Sequence, residues 1–239
     1  MSQPSPPDQP EPAGRPDPRS RARALRAQAA HDGRPDGWCE DLYREAVERP
    51  ELVFWGDRVP NPNLTARWEA WSHDLPAHPE VLVTGAGYGD DAAWLADRGA
   101  RVTAFDVSPS AVGAAAGRFS NRPIRWLAGD LFTPPLHGSA SFQLVVETYT
   151  LQVLHPDRRA AALAPLSSLV APGGELWIIA RGRDEEEDPG QLPWPLLRAE
   201  LAAFTELGLV ERSFEDYLDD ETPPLRRFVA RYRRPEANG

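Results

Sequence analysis

The sequence contains one cysteine, one methionine and no lysine among its 239 residues. A single thiol, that of Cys39, excludes an internal disulfide and a zinc site built from several cysteines. Because all 26 basic residues are arginine, the chain has no lysine for a pyridoxal-phosphate Schiff base or for a Walker-type phosphate loop. The composition therefore excludes two large classes of cofactor enzyme.

Long apolar runs are also missing. No stretch approaches the roughly 20 apolar residues that cross a membrane, and the proline-rich segment 1–20 lacks the apolar region of a secretory signal. We therefore expect a cytoplasmic protein with no membrane partner. The net charge of −10 repels phosphate backbones, so we expect a small-molecule substrate and no nucleic acid partner.

The chain falls into parts of different composition. Residues 1–36 hold eight of the 26 prolines and almost no large apolar side chains, which predicts a disordered Pro/Arg-rich tail in which 21–30 can form a short helix. Residues 37–239 are predicted to form one folded α/β domain. Within it, segment 37–75 has a helical pattern and tryptophans at positions 38, 55, 68 and 71. We expect this segment to form a helical lid on a core of residues 80–234.

Short apolar strands alternate with helical patterns from residue 81 onward, which predicts a mostly parallel sheet with helices on both faces. The predicted strands number seven and cover residues 81–84, 102–106, 124–128, 142–147, 175–180, 210–217 and 225–232. Helices are predicted at 90–98, 109–118, 156–170 and 195–207. Only the turn 220–224 joins the last two strands, so the seventh strand is expected to run antiparallel to its neighbour.

A glycine-rich loop follows the first strand and leads into a helix. Gly85 and Gly87 permit a tight turn and the close approach of a ligand, and Gly89 lets the helix begin close to the sheet. Asp90 and Asp91 follow at once, and two acids in the first helical turn repel the pyrophosphate of a dinucleotide. They do not repel a sulfonium compound without phosphate, so the charges favour S-adenosylmethionine over NAD.

Carboxylates follow the next three strands at the same edge of the predicted sheet. Asp106 lies 21 positions after Gly85, the usual distance for a carboxylate that binds ribose hydroxyls; alternatively it caps the following helix. Asp130, with Leu131 beside it, is placed to accept a hydrogen bond from an adenine amino group, or is an ordinary turn residue. Glu147 ends the fourth strand and is either a site residue or a charge at a helix terminus.

These motifs, in this order, resemble the class I S-adenosylmethionine-dependent methyltransferases over about residues 80–234. The glycine loop, Asp106, Gly129-Asp130, Glu147 and the turn Ala171-Pro172-Gly173-Gly174 carry the resemblance. It implies a Rossmann-like fold with strand order 3-2-1-4-5-7-6 and S-adenosylmethionine as the cofactor. The residues then predicted to bind the cofactor are Gly85, Gly87, Gly89, Asp106, Asp130, Leu131 and Glu147, and no metal site is predicted.

Within that class, a finer resemblance concerns two segments. Trp94-Leu95-Ala96-Asp97-Arg98-Gly99 and the tryptophan-rich segment before the first strand are similar to the thiopurine and tellurite methyltransferase branch. Thr84 stands where the class usually has an acidic residue. Thr148 stands where the thiopurine branch tends to have an arginine.

The predicted function is methyl transfer from S-adenosylmethionine to a sulfur, oxygen or nitrogen atom of a small molecule. The alternatives are a cofactor-binding protein with another reaction or a regulatory role, and an NAD-type oxidoreductase. No catalytic residue is assigned: a thiol acceptor needs little beyond alignment, while Tyr149 and His155 are candidate bases for a hydroxyl or amine. The acidic run 184–188 predicts a solvated loop, or else a preference for a cationic or neutral acceptor.

Overall fold

One sheet of eight strands runs through residues 17–136 and 142–237, the part of the chain that the computed structural model describes. Its strands are β1 (Glu80–Thr84), β2 (Arg101–Asp106), β3 (Arg125–Ala128), β4 (Phe142–Thr148), β5 (Val170–Arg183), β6 (Leu196–Leu197), β7 (Val210–Leu218) and β8 (Arg226–Arg233). The α-helices are α1 (Pro18–His31), α2 (Gly37–Glu45), α3 (Pro62–Trp71), α4 (Asp90–Ala96), α5 (Pro109–Arg118), α6 (Pro156–Ser168) and α7 (Arg198–Ala202). Among these helices, none combines the length and the apolar composition that a membrane crossing requires.

The strand order is β3-β2-β1-β4-β5-β8-β7, with the short β6 paired only to β5. Strands β1 to β5 pair in parallel, and β8 runs antiparallel to both β5 and β7. The seven long strands therefore confirm the predicted Rossmann-like order. The predicted helix over 195–207 is wrong at its start, because Leu196 and Leu197 pair with Gly182 and Arg183 of β5; only α7 and the 3-10 turn Ala203–Thr205 are helical there.

Alternating side chains of the central strands supply two cores, one on each face of the sheet. On one face, Val145 and Ile178 pack with residues of α6 and α7. On the other face, Val146 and Trp177 pack with residues of α3 and α4. This two-sided burial explains the near-continuous apolar runs of β4 and β5, and it confirms helices on both faces.

The prediction of disorder is wrong for residues 18–31, which form α1, a helix longer than the short one considered at 21–30. Asp17 caps this helix by accepting a 2.9 Å hydrogen bond from the backbone N–H of Ser20. Ala22, Leu25 and Ala29 are buried on one side of α1, at a helical spacing that is hard to detect because two of the three are alanine. Residues 1–16 of the predicted tail lie outside the described residues.

The predicted helical lid over 37–75 divides into two parts. Helix α2 and the segment 50–55 join α1 in a cluster with Tyr88, Leu192 and Trp194, which all follow the carboxyl ends of strands. We call α1, α2 and the segment 50–55 the lid. Helix α3 lies instead on a face of the sheet, where the Trp71 ring is 5.1 Å from that of Trp177, so its tryptophans belong to the core.

Candidate active site

The loop between β1 and α4 depends on its three glycines. Gly85, Gly87 and Gly89 have φ angles of +58°, +52° and +84°, in the left-handed region that favours glycine. A Cβ on Gly85 would overlap the side chain of Thr150, and one on Gly89 would lie 2.5 Å from the Trp126 ring. The loop is therefore restricted to glycine both by its backbone and by its neighbours.

Asp106, at the end of β2, is joined directly to this loop. Its Oδ2 accepts a 2.9 Å hydrogen bond from the backbone N–H of Gly87, and its Oδ1 accepts one of 2.9 Å from that of Ser108. The side chain is buried, and burial raises the pKa of Asp106, although the two backbone hydrogen bonds oppose the rise. Capping of α5 was the alternative role considered for Asp106. Ser108 caps this helix instead, because its Oγ accepts a hydrogen bond from the backbone N–H of Ala111.

The two acids after the loop have structural partners. Asp90 forms a bidentate ion pair with Arg118, at 2.9 and 2.7 Å, so its charge is compensated locally. Asp91 is half-buried and accepts hydrogen bonds from the backbone N–H of Asn61 at 2.6 Å and from the Thr148 hydroxyl at 2.7 Å. Because Arg118 compensates Asp90, the expected repulsion of a pyrophosphate is weaker than the sequence indicates.

The segment after β3 brings Asp130 and Leu131 to the same edge. Asp130 accepts a 2.8 Å hydrogen bond from the backbone N–H of Phe132 and so closes a turn, while Leu131 is buried in the core on the α6 side. Asp106 and Ala128 pair at the carboxyl ends of β2 and β3. Asp130 and Leu131 thus follow directly after the strand end that lies beside Asp106, whose carbonyl oxygen accepts a 2.9 Å hydrogen bond from the backbone N–H of Gly129.

Glu147, at the end of β4, points into the core on the α6 side. Its Oε1 accepts hydrogen bonds of 2.6 and 2.8 Å from the backbone N–H groups of Thr150 and Leu151. Its Oε2 is buried without a hydrogen-bond partner in the described structure. Burial raises the pKa of Glu147 to about 7 against the opposing effect of these hydrogen bonds and of Arg159. The carboxyl group thus holds the turn that carries Tyr149, a non-glycine residue with φ +65°.

The lid lies on the glycine loop. The Tyr43 hydroxyl would be 2.9 Å from a Cβ on Gly87, and it accepts a 3.2 Å hydrogen bond from the indole N–H of Trp55. The Tyr43 ring also packs edge-on against Tyr88 of the loop, at 5.2 Å between centroids. Burial raises the pKa of the Tyr43 phenol well above its usual range, which keeps this hydroxyl protonated beside the loop.

Two acidic side chains fasten α2 to the rest of the fold. Glu40 accepts hydrogen bonds from the hydroxyls of Ser108 and Ser110, both at 2.7 Å, at the start of α5. Asp36 forms an ion pair of 2.5 Å with Arg158 of α6. These contacts join the lid to elements on both sides of the crevice at the carboxyl ends of the strands.

Comparisons with known proteins agree with this geometry. A family model described as a methyltransferase domain matches residues 81–174. A thiopurine S-methyltransferase of Gluconobacter oxydans is 32% identical over 154 residues, which cover 57% of this chain and 68% of that protein. The chain belongs to the class I S-adenosylmethionine-dependent methyltransferases. Membership of this family implies S-adenosylmethionine as the cofactor.

A second sequence relative and one solved structure cover different shares of the chains compared. An uncharacterized methyltransferase of Mycobacterium tuberculosis is 41% identical over 99 residues, and the chain spans about half the length of this relative, 49%. The solved structure of a 1,6-didemethyltoxoflavin-N1-methyltransferase of Burkholderia thailandensis, with its substrate and S-adenosylhomocysteine, has a TM-score of 0.57 and 24% identity. That similarity covers 95% of this chain and 94% of the other, and it shows the shared fold.

The structure joins only some of the residues predicted from sequence. Asp106 is hydrogen-bonded to the glycine loop, whereas Asp130 closes a turn after β3 and Leu131 is buried in the core on the α6 side. The Glu147 side chain lies in the core behind the turn at Tyr149. Sequence reasoning missed Tyr43 and Glu40, because nothing in the local pattern of α2 shows that it lies on a loop more than 40 residues further along the chain. Across residues 17–136 and 142–237, no group of three or more His, Cys, Asp and Glu side chains could hold a metal ion.

Proposed function

We propose that this methyltransferase acts on a small molecule that it encloses between the lid and the carboxyl ends of β4 and β5. The observation that carries the proposal is the position of Tyr43, whose hydroxyl lies on Gly87 while its ring packs against Tyr88 and Trp55. A lid seated this closely favours an acceptor small enough to be covered by it. The net charge of −10 also opposes a nucleic acid acceptor.

The residues of the site fit S-adenosylmethionine. We propose that Gly85, Gly87 and Gly89 let the backbone approach the cofactor, because side chains there are excluded by sterics and by φ. The Asp106 carboxylate has further acceptor capacity for ribose hydroxyls beyond its two backbone hydrogen bonds. Asp130 and Leu131 are proposed to contact the adenine.

Glu147 is proposed to support the site from behind. Its carboxyl group is buried and holds two backbone N–H groups of the turn after β4, so we assign it the role of fixing that turn and thereby Tyr149. His155 begins α6, where its ring accepts from the backbone N–H of Asp157 at 3.4 Å and packs edge-on against Trp194. That arrangement favours a helix-capping role for His155, and we do not assign it as a base.

When bound, S-adenosylmethionine supplies an already activated methyl group. The protein's contribution is then mainly to align the acceptor atom with that group and to exclude water, and alignment alone can lower the barrier by about 7–11 kcal/mol. The Tyr149 hydroxyl accepts a 3.4 Å hydrogen bond from the Asn63 amide, so it is held in place at the edge of the proposed acceptor space. A sulfur, oxygen or nitrogen nucleophile is compatible with this arrangement.

The experiment combines binding with turnover. S-adenosylmethionine and a panel of small thiols, phenols and amines are incubated with the full chain, and methylated products are identified by mass spectrometry. Methylation of one chemical class supports the proposal. Tight binding of S-adenosylhomocysteine with no product from any class, but methylation of an added RNA or protein, would show that the acceptor is a macromolecule.

A further inference from the structure

Arg181, near the end of β5, is half-buried and differs from the three buried arginines among the described residues, which are all ion-paired. The half-buried Arg26 also lacks an ion pair, but its guanidinium lies 4.4 Å from the centre of the Trp194 ring. Arg159 pairs with Glu200 at 3.0 Å, Arg227 with Asp219 at 2.6 Å, and Arg231 with Glu175 at 2.6 Å. The Arg181 guanidinium has neither an ion pair nor a hydrogen bond to any described residue, although its backbone N–H donates to Gln152. A partly desolvated cation without a partner costs free energy unless a ligand supplies one.

Like charges surround this guanidinium. Burial lowers the pKa of Arg181, and the nearby Arg227 and Arg19 lower it further, against the effect of Glu221 and Asp219. Arg227 is the cross-strand partner of Arg181 in the β5–β8 pair, and it already binds the carboxylates of Asp219 and Glu221. The Arg181 guanidinium is therefore left without a counter-ion, and an anionic group of a ligand would neutralise it.

The position of Arg181 is on the acceptor side of the proposed site. Strand β5 is next to β4, and the backbone N–H of Tyr149 at the end of β4 donates a 2.9 Å hydrogen bond to Ile179, two residues before Arg181. The Arg227 guanidinium lies 5.2 Å from the centre of the Tyr149 ring. Tyr149 has φ +65°, and a strained residue of this kind is typical of functional sites.

The lid contributes the third cation. Arg19, in the first turn of α1, lies 4.7 Å from the centre of the Phe54 ring, also in the lid, and it acts electrostatically on Arg181. An aromatic ring of the lid, Phe54, and one next to the sheet, Tyr149, thus each lie against a guanidinium that acts on Arg181. A flat molecule with one acidic group matches this combination.

We propose that Arg181 binds a carboxylate of an aromatic methyl acceptor. The planar guanidinium can donate two parallel hydrogen bonds to a carboxylate, which fixes both the position and the orientation of the acceptor. The acidic run 184–188 does not oppose this, because Asp184 pairs with Arg226 at 2.7 Å and the run is otherwise exposed to solvent. The inference rests on the proposed function, since it identifies the substrate class of the same site.

The test uses the full chain saturated with S-adenosylhomocysteine. The probes are matched pairs of benzoates and benzamides with a thiol, hydroxyl or amino group at position 4, and their dissociation constants are measured by calorimetry. We expect at least one benzoate to bind about tenfold or more tightly than its benzamide. Arg181→Gln should remove this preference, and Arg181→Lys, which keeps the charge without the planar fork, should retain part of it.

Arg125→Gln is the matched control, because Arg125 is an exposed arginine at the opposite end of the sheet, in β3, and should leave the preference unchanged. A wild-type protein that binds no benzoate more tightly than its benzamide, or an Arg181→Gln variant that keeps the preference, would overturn the inference. Binding of S-adenosylhomocysteine distinguishes a failure of the proposed function from a failure of the carboxylate inference. If the wild type fails to bind it, the proposed function fails; if it binds it and shows no preference, only the carboxylate inference fails.

Discussion

The backbone N–H of Gly87 donates a 2.9 Å hydrogen bond to the buried Oδ2 of Asp106. The bond joins the glycine loop after β1 to the end of β2, so the two motifs that were recognised separately in the sequence form one unit. We expect Asp106→Ala to weaken the binding of S-adenosylhomocysteine by about tenfold to a hundredfold, since a hydrogen bond to a charged group contributes about 1.5–3 kcal/mol. Calorimetry measures the change, with the exposed Asp97→Ala as control; a change of less than twofold would contradict a role in binding.

A side chain at Gly87 should block the site. Valine there would adopt an unfavourable φ and its Cβ would lie 2.9 Å from the Tyr43 hydroxyl, so we expect Gly87→Val to abolish cofactor binding. Gly113→Ala is the control, because a Cβ on this helical glycine meets nothing within 4 Å, and it should be neutral or slightly stabilising. Far-ultraviolet circular dichroism shows whether each variant is folded, and unchanged affinity in a folded Gly87→Val protein would show that the loop is not the site.

The choice of cofactor can be tested by thermal unfolding. At a hundredfold excess over its dissociation constant, a ligand that binds only the native state stabilises it by ~2.7 kcal/mol, or roughly 5–11 °C in Tm for a chain of this size. We expect S-adenosylhomocysteine to produce such a shift and NAD or NADP to produce none. The measurement is needed because Arg118 compensates Asp90, which weakens the charge argument against a pyrophosphate at the start of α4. An equal shift in Tm with NAD would exclude S-adenosylmethionine as the preferred cofactor.

The contribution of α1 is measured by two truncations. Removal of residues 1–31 exposes the surface that Ala22, Leu25 and Ala29 cover and breaks the ion pair between Arg21 and Glu45. Compared with a chain that begins at residue 17, we expect it to lower Tm by roughly 5 °C or more and to weaken the binding of S-adenosylhomocysteine. The chain from residue 17 retains α1, so the difference isolates this helix. Equal Tm and affinity for the two chains would show that α1 does not stabilise the lid.

Glu147 should make the stability depend on pH. Its pKa rises from 4.5 to about 7 on folding, so the folded state retains a proton that the unfolded state loses above pH 4.5. The resulting stability, about 3 kcal/mol, is fully present below that pH and is lost as the pH rises to about 7. Glu147→Gln keeps the acceptor for Thr150 and Leu151 and removes the titration.

The measurement for Glu147 is the free energy of unfolding by urea across the same pH range. The difference between wild type and Glu147→Gln is the relevant quantity, because Asp91 and Asp106 also have raised pKa values and contribute equally to both proteins. We expect this difference to shift in favour of the variant as the pH rises. A difference that is independent of pH would mean that Glu147 is ionised in the same way in the folded and unfolded states.

Much of the core was predictable because its signals are local. Helix α5 begins and ends at the predicted residues, since Ser108 and Pro109 mark its start and Arg118 its last turn. The strands were found because burial on both sides requires continuous apolar residues, as in β4. For α1, the sequence indicated only a short helix at 21–30 within a disordered tail. It did not indicate that this helix packs on the fold, because its buried side is mostly alanine, which carries little hydrophobic signal.

The candidate site was predictable only where the chain order itself encodes it. The glycine loop and Asp106 come from consecutive strands, so their spacing is informative. The contacts of Glu40 with Ser108 and Ser110 join residues about 70 positions apart, and no pattern in either segment indicates the other. The unpaired state of Arg181 is likewise a property of the folded chain, since the sequence offers many acids that could have paired with it.

The lid acts on both halves of the proposed site: Tyr43 lies on the glycine loop, and the charge of Arg19 acts on Arg181. One packed cluster of α1, α2 and the segment 50–55 connects these two parts of the lid. If the cofactor or the methyl acceptor displaces the lid, the binding site of the other ligand changes too. We therefore expect the affinities for the cofactor and the acceptor to be thermodynamically linked. By reciprocity, whatever factor the cofactor imposes on acceptor binding, the acceptor must impose on the cofactor, so the lid converts two neighbouring binding events into a cooperative one.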